Sequence, residues 1–290
     1  MLVDLLRVQT RDGVFLDGML QRPATSRAAA PQSVLMVHGT GGNFYGSTLF
    51  DFLGEKLLTL GFAVLRANTR GHDGVSTAAT SKGGRRLGAA YETVDDCRHD
   101  LLAWTQWLCD NAGPDVLLLG HSLGAVKCLY AATHEPSLLG PSDAIVALSP
   151  PRLSYEWFCS GAKRDEFLAT YQRAEERLRQ NQPHALLEVT MPLPFVISAA
   201  GYVEKYGPDE RYDFAKLLPG LEARTLFLFG AVETENNVAF QEGPALIEEK
   251  RKRYPNLDVR VIAGGDHFYT GVRDDAWRAI DDWLPRQRVD

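Results

Sequence analysis

Three side chains spread over half the sequence could together carry out acyl transfer. The sharpest local pattern is Gly120-His121-Ser122-Leu123-Gly124. It begins directly after the apolar run Val116 to Leu119 and opens a helical pattern from Leu123 to Thr133, which predicts a strand, a tight turn and a helix. A turn of that kind strains the serine backbone, lifts its hydroxyl above the sheet and leaves no room for side chains at the flanking glycines, so Ser122 is the candidate nucleophile.

A serine hydroxyl is a poor nucleophile until a base takes its proton. Among seven histidines, His267 in Gly264-Gly265-Asp266-His267-Phe268 follows the last expected strand and precedes the terminal helix. Doubly wound sheets gather their ligand-binding loops at such an edge, which makes His267 the candidate base. A carboxylate must then hold the imidazole tautomer. Glu233, three residues past Gly230, is the first choice and Glu235 the alternative; Asp266 is too constrained by its adjacency to His267. A tetrahedral intermediate also needs N–H donors. His38-Gly39-Thr40-Gly41-Gly42 follows an apolar strand and offers Thr40, or alternatively Gly41, while Leu123 supplies a second donor from the turn. Phe44 stands where a dinucleotide loop would need glycine, and no P-loop lysine follows.

Elements to position these residues are legible in the apolar pattern. Leu2 to Gln21 reads as two strands joined at Arg11-Asp12-Gly13, and Pro23 to Gln32 as a loop. Buried strands are expected at Val34 to Val37, Phe62 to Leu65, Val116 to Leu119 and Ala144 to Leu148, alternating with helices at Leu49 to Leu60, Tyr91 to Cys109 and Leu123 to Thr133. The alternation resumes with strands at Thr225 to Phe229 and Leu257 to Ile262 and helices at Phe240 to Tyr254 and Val272 to Trp283. This is an α/β pattern with a mostly parallel, doubly wound sheet. Residues 1–150 and 221–290 form one expected core domain, and 151–220 a helical cap with an amphipathic helix through Phe167, Leu168, Tyr171 and Leu178 and no strong buried strand. Gly41, His121, Tyr155, Trp157, Phe158, Phe195 and Tyr202 are candidates to line a substrate pocket.

Composition narrows the function classes. The 290 residues are 45% hydrophobic and 23% charged, which excludes disorder, collagen and a coiled-coil rod. Asp plus Glu number 37 against 31 Lys plus Arg, with both signs dispersed, so a nucleic-acid-binding face is not expected. Cys97, Cys109, Cys128 and Cys159 have no metal-ligand spacing. Cys97 and Cys109 would stand about 18 Å apart in one helix, too far to be bridged. The first twenty residues lack a signal-peptide core and no stretch is long enough to span a bilayer, so a soluble cytoplasmic protein with reduced thiols is expected.

On His38-Gly39-Thr40-Gly41-Gly42, Gly120-His121-Ser122-Leu123-Gly124, Glu233 and Gly265-Asp266-His267, in the order Ser, acid, His, the chain resembles the α/β-hydrolase superfamily over nearly its whole length. Arg70-Gly71-His72-Asp73-Gly74 is similar to that family's R-G-x-G-x-S loop, but its spacing departs and assigns no role to Ser76. Ile197-Ser198-Ala199-Ala200-Gly201-Tyr202 with Lys205-Tyr206-Gly207-Pro208 resembles the branch that includes fungal siderophore-ester hydrolases. The resemblance implies a hydrolase of small-molecule esters that needs no metal or organic cofactor. Thioester, lactone, amide and carbon-carbon bond cleavage, and a non-catalytic binding protein on the same fold, remain open alternatives. Oligomeric state is not legible.

Overall fold

A computed structural model describes residues 3–27 and 29–285. Met1, Leu2, which begins the first segment read above, and Ala28, within the expected loop, lie outside the described residues. The hairpin β1 (Asp4–Gln9) and β2 (Phe15–Gln21) turns through Gly13 at φ +86°, as the Asp-Gly pair predicts. Next come β3 (Ser33–Val37), α1 (Thr48–Thr59), β4 (Ala63–Ala67), a small hairpin of β5 (Ser76–Thr80) and β6 (Gly83–Leu87), and α2 (Cys97–Ala112). They lead to β7 (Val116–His121), α3 (Leu123–His134) and β8 (Ala144–Leu148). The insertion holds α4 (Tyr155–Ser160), α5 (Arg164–Arg179), β9 (Leu186–Val189), β10 (Phe195–Ser198), α6 (Ala199–Tyr206) and α7 (Phe214–Leu217). It is followed by β11 (Arg224–Gly230), α8 (Ala231–Asn236), α9 (Gly243–Lys250), β12 (Leu257–Ile262) and α10 (Arg273–Trp283).

Among the described residues, eight strands form one sheet in the order β1-β2-β4-β3-β7-β8-β11-β12. The first two run antiparallel, β2 is antiparallel to β4, and each later pair is parallel. Alternate residues of each central strand feed opposite faces. Val34, Met36, Leu117, Leu119, Leu226 and Leu228 pack beneath α1 and α10, whereas Leu35, Val37, Leu118, Ile145, Phe227 and Phe229 pack against α2, α3 and the insertion. Burial on both faces is why these strands read as unbroken apolar runs.

Several elements differ from the sequence reading. Helix α2 starts at Cys97 and not Tyr91; Val94–Asp96 form a 3-10 turn ahead of it, and the Glu92 carboxylate turns inward to meet Lys127. The expected helix from Phe240 to Tyr254 is confined to α9, with Pro244 in its first turn, and α8 precedes it. The hairpin β5–β6 has no apolar alternation to reveal it; its strands read STAAT and GGRRL. In the insertion, α5 lies where the amphipathic pattern placed it, and β9 pairs with β10 through strands of only four residues. No helix among the described residues is long and apolar enough to cross a membrane. All four cysteines are free, with Cys97 and Cys128 buried.

Candidate active site

Ser122 sits between β7 and α3 at φ +57° and ψ −128°, a sparsely populated conformation for a residue with a Cβ. Its N–H donates to the Leu148 carbonyl at 2.8 Å, tying the turn to β8. The glycines around it are steric necessities. A methyl at Gly124 would stand 2.1 Å from the Val37 carbonyl oxygen, and one at Gly120 would stand 2.5 Å from the Gly124 carbonyl oxygen.

His267 lies in the loop between β12 and α10 and Glu233 in the first turn of α8, after β11. Adjacent strands therefore deliver both, and the loops interlock where Val232 N–H donates to Gly265 O at 2.9 Å. His267 Nδ1 is 2.7 Å from Glu233 Oε2. The other carboxylate oxygen accepts from Gly230 N–H at 2.8 Å and from the Ser149 hydroxyl at 2.5 Å. Tyr269 extends this network, with its hydroxyl 2.8 Å from Ser149 Oγ and donating to Leu228 O at 3.1 Å. Glu235 is exposed on the same helix. Asp266 accepts from Phe268 N–H and Thr270 N–H at 2.9 and 2.8 Å and so shapes the loop.

His121, preceding the nucleophile candidate, is a second clamp on that loop. Its Nε2 is 2.7 Å from the His267 carbonyl oxygen, and the two rings lie 4.7 Å apart. Burial first, and then the neighbouring His267, push the His121 pKa down to about 3. At neutral pH it is therefore an uncharged ring, with the proton on Nε2 donated to that carbonyl.

The loop His38–Gly42 follows β3. His38 Nε2 accepts from Thr69 N–H at 3.1 Å, so its proton is on Nδ1, which donates to Gly39 O at 2.8 Å. Burial and the Lys127 cation push its pKa down to about 3, keeping the ring neutral. Gly39 O also accepts from Gly42 N–H at 3.1 Å. Carbonyl and N–H of one trans peptide point in opposite directions, so pinning Gly39 O fixes the plane that carries Thr40 N–H. Leu123 is the first residue of α3, whose opening N–H groups have no partner within the helix. The stretch Arg70–Gly74 braces this loop. Asp73 N–H donates to Gly42 O at 3.0 Å and Asn43 Nδ2 donates to Asp73 Oδ1 at 2.8 Å, while Arg70 is buried against Asp12 and Asp100. Ser76 lies in β5.

A cavity of about 500 Å³ is lined by Ser122, His267, His121 and the His38–Asn43 loop, including Thr40 and Gly41. Leu193, Pro194, Phe195 and Tyr206 of the insertion, together with Phe50 and Phe268, supply apolar wall. Of the expected pocket aromatics, Phe195 alone is among the lining residues. Tyr155, Trp157, Phe158 and Tyr202 are corrected to packing residues: Tyr202 and Phe158 are fully buried, Tyr155 packs edge-on to Phe167 and Tyr171, and Trp157 donates to Val238 O at 2.7 Å. A cluster of aromatics satisfies itself by mutual packing, which composition cannot distinguish from pocket lining. Sequence reasoning missed Ser149 and Tyr269, which carry no motif. It also missed Lys127, although a lysine inside Ala125-Val126-Lys127-Cys128-Leu129 was a visible signal of a buried charge.

The model of the alpha/beta hydrolase family matches residues 34–283. The sequence matches none of the curated proteins with which it was compared. Among solved structures, Est1E from Butyrivibrio proteoclasticus with ferulic acid bound is similar at TM-score 0.64 and 17% identity, over 95% of this chain and 96% of that one. The Pyrococcus furiosus esterase Pf2001 is similar at TM-score 0.60 and 16% identity, over 98% and 89%. E-2-(Acetamidomethylene)succinate hydrolase is similar at TM-score 0.57 and 19% identity, over 97% and 98%. These likenesses concern the fold, which has the same mostly parallel sheet with flanking helices. From the family match and that architecture, the chain belongs to the alpha/beta hydrolase family.

Proposed function

We propose that the protein is a serine hydrolase that cleaves a carboxylic ester of small or medium size through an acyl-enzyme. Ser122 Oγ attacks the carbonyl carbon as His267 Nε2 takes its proton. Glu233 holds the His267 tautomer through Nδ1–H, and the N–H groups of Thr40 and Leu123 receive the negative charge on the tetrahedral oxygen. The intermediate collapses when His267 returns the proton to the departing alcohol. Water then repeats the sequence on the acyl-enzyme and restores Ser122. The carrying observation is that strained Ser122 and His267 line one cavity, with His267 Nδ1 2.7 Å from Glu233.

Residues 151–220 act in this reading as a cap, supported by the wall that Leu193, Pro194, Phe195 and Tyr206 contribute. An apolar, partly aromatic cavity of about 500 Å³ favours acyl or alcohol groups of the size of a substituted aromatic acid over long lipid chains. The ferulic acid bound by Est1E is a ligand of that size on a similar fold. Intact-mass and peptide analysis after fluorophosphonate treatment tests the chemistry. A single adduct on Ser122, absent in Ser122→Ala, is expected; an unmodified folded protein that turns over no short-chain ester would leave a binding protein in its place.

A further inference from the structure

A buried charge cluster lies behind the oxyanion loop, outside the chemistry assigned above. Lys127 on α3 is fully buried, its Nζ forms an ion pair with buried Glu92, and it donates to Thr69 Oγ1 at 3.0 Å. Thr69 Oγ1 is 3.2 Å from His38 Nε2, and His38 Nδ1–H holds Gly39 O. Lys205 on α6 approaches the other Glu92 oxygen at 3.9 Å. Although burial pushes the Glu92 carboxyl up, Lys127 and Lys205 hold it below the usual carboxylate range.

Burying ions is costly, and apolar residues of similar volume commonly fill such space at equal or better stability. This cluster therefore calls for an explanation beyond packing. Two oxyanion donors must keep a fixed separation, yet Leu123 N–H belongs to a rigid helix while Thr40 N–H belongs to a glycine-rich loop. Lys127 lies on the helix that begins at Leu123, so the hydrogen-bonded path from Lys127 through Thr69 and His38 to the Gly39–Thr40 peptide ties the loop to the helix.

We propose that Lys127 and Glu92 are positioning residues for the oxyanion hole, acting through Thr69 and His38 to fix the peptide that carries the Thr40 N–H donor. The proposal rests on the reading of Ser122 as nucleophile and Thr40 N–H as donor. Thr69→Val removes the hydroxyl link while keeping shape and the backbone N–H to His38; Thr69→Ser restores the link; Lys127→Met removes the ammonium.

The test compares kcat, KM and inhibition by a boronic acid, whose serine adduct is an anionic tetrahedral mimic, with thermal melting as a check on folding. Thr69→Val and Lys127→Met should lower kcat about tenfold to a hundredfold with KM within about twofold, and weaken the boronate by the same factor. Thr69→Ser should recover most of the loss. Folded variants with reduced Tm but unchanged kcat and boronate affinity would make the cluster a packing feature and overturn the proposal. If Lys127→Met fails to fold, the Thr69→Val and Thr69→Ser pair decides. A wild type with no Ser122 adduct would sink the parent reading and this one with it, whereas a labelled wild type matched in rate by its variants sinks this one alone.

Discussion

Ser122 is flanked by two histidine–glutamate assemblies of opposite character. On one side, Glu233 faces the polar donors Ser149, Gly230 N–H and His267, and the His267 side chain is 25% exposed. On the other, Glu92 faces ammonium groups, and His38 is 3% exposed with both ring nitrogens engaged. The first assembly leaves its histidine lining the cavity. The second fixes a tautomer and keeps it. In the proposed mechanism, similar residue types would serve to move a proton or to hold a peptide, depending on which nitrogen is left accessible.

Substitutions can break this contrast. Glu233→Gln should lower kcat about 10³-fold, because the amide fails to stabilise the imidazolium and favours the wrong tautomer; steady-state ester kinetics check this, and a loss under tenfold would move the orienting acid elsewhere. Glu92→Gln should lower kcat less, about tenfold to a hundredfold, and act on stability as well. It leaves Lys127 and Lys205 without their carboxylate and should cost about 3–5 kcal/mol in urea unfolding.

The buried histidines give an effect that depends on pH. His38 and His121 have folded pKa values pushed down to about 3 by burial, against about 6.5 in the unfolded chain. Below pH ~6.5 the unfolded state takes up protons that the folded state refuses, so stability falls as pH drops toward 3, by about 1.4 kcal/mol per pH unit for each histidine. Unfolding of His121→Gln should show a shallower acid dependence than the wild type, and an equal slope would contradict the burial account. Smallest of all, Glu235→Gln should leave kcat within about twofold and stability within about 0.5 kcal/mol, since its side chain is exposed. A large loss there would reverse the choice between the two glutamates.

What the sequence revealed followed from burial on both faces. Central strands such as Val116–His121 and Arg224–Gly230 are near-continuous apolar runs, so their order located the loops carrying Ser122, Glu233 and His267. The three-residue offset from Gly230 favoured Glu233, and the structure turns that side chain toward His267. The supporting groups were hidden because they are brought together only by folding. Ser149 meets Glu233 across 84 positions and Lys127 meets Thr69 across 58. The insertion was least legible, since β9 and β10 are four residues each and its aromatics pack on one another. Short strands leave too few alternations to mark a face.

In the proposed mechanism an acyl group is carried by Ser122. Rapid mixing with a p-nitrophenyl ester of a short or aromatic acid, quenched for peptide mass analysis, tests it directly. Acylation of up to one Ser122 per chain is expected, formed before steady turnover and abolished in Ser122→Ala. Turnover by Ser122→Ala at the wild-type rate, or an acyl group located on another residue, would contradict it.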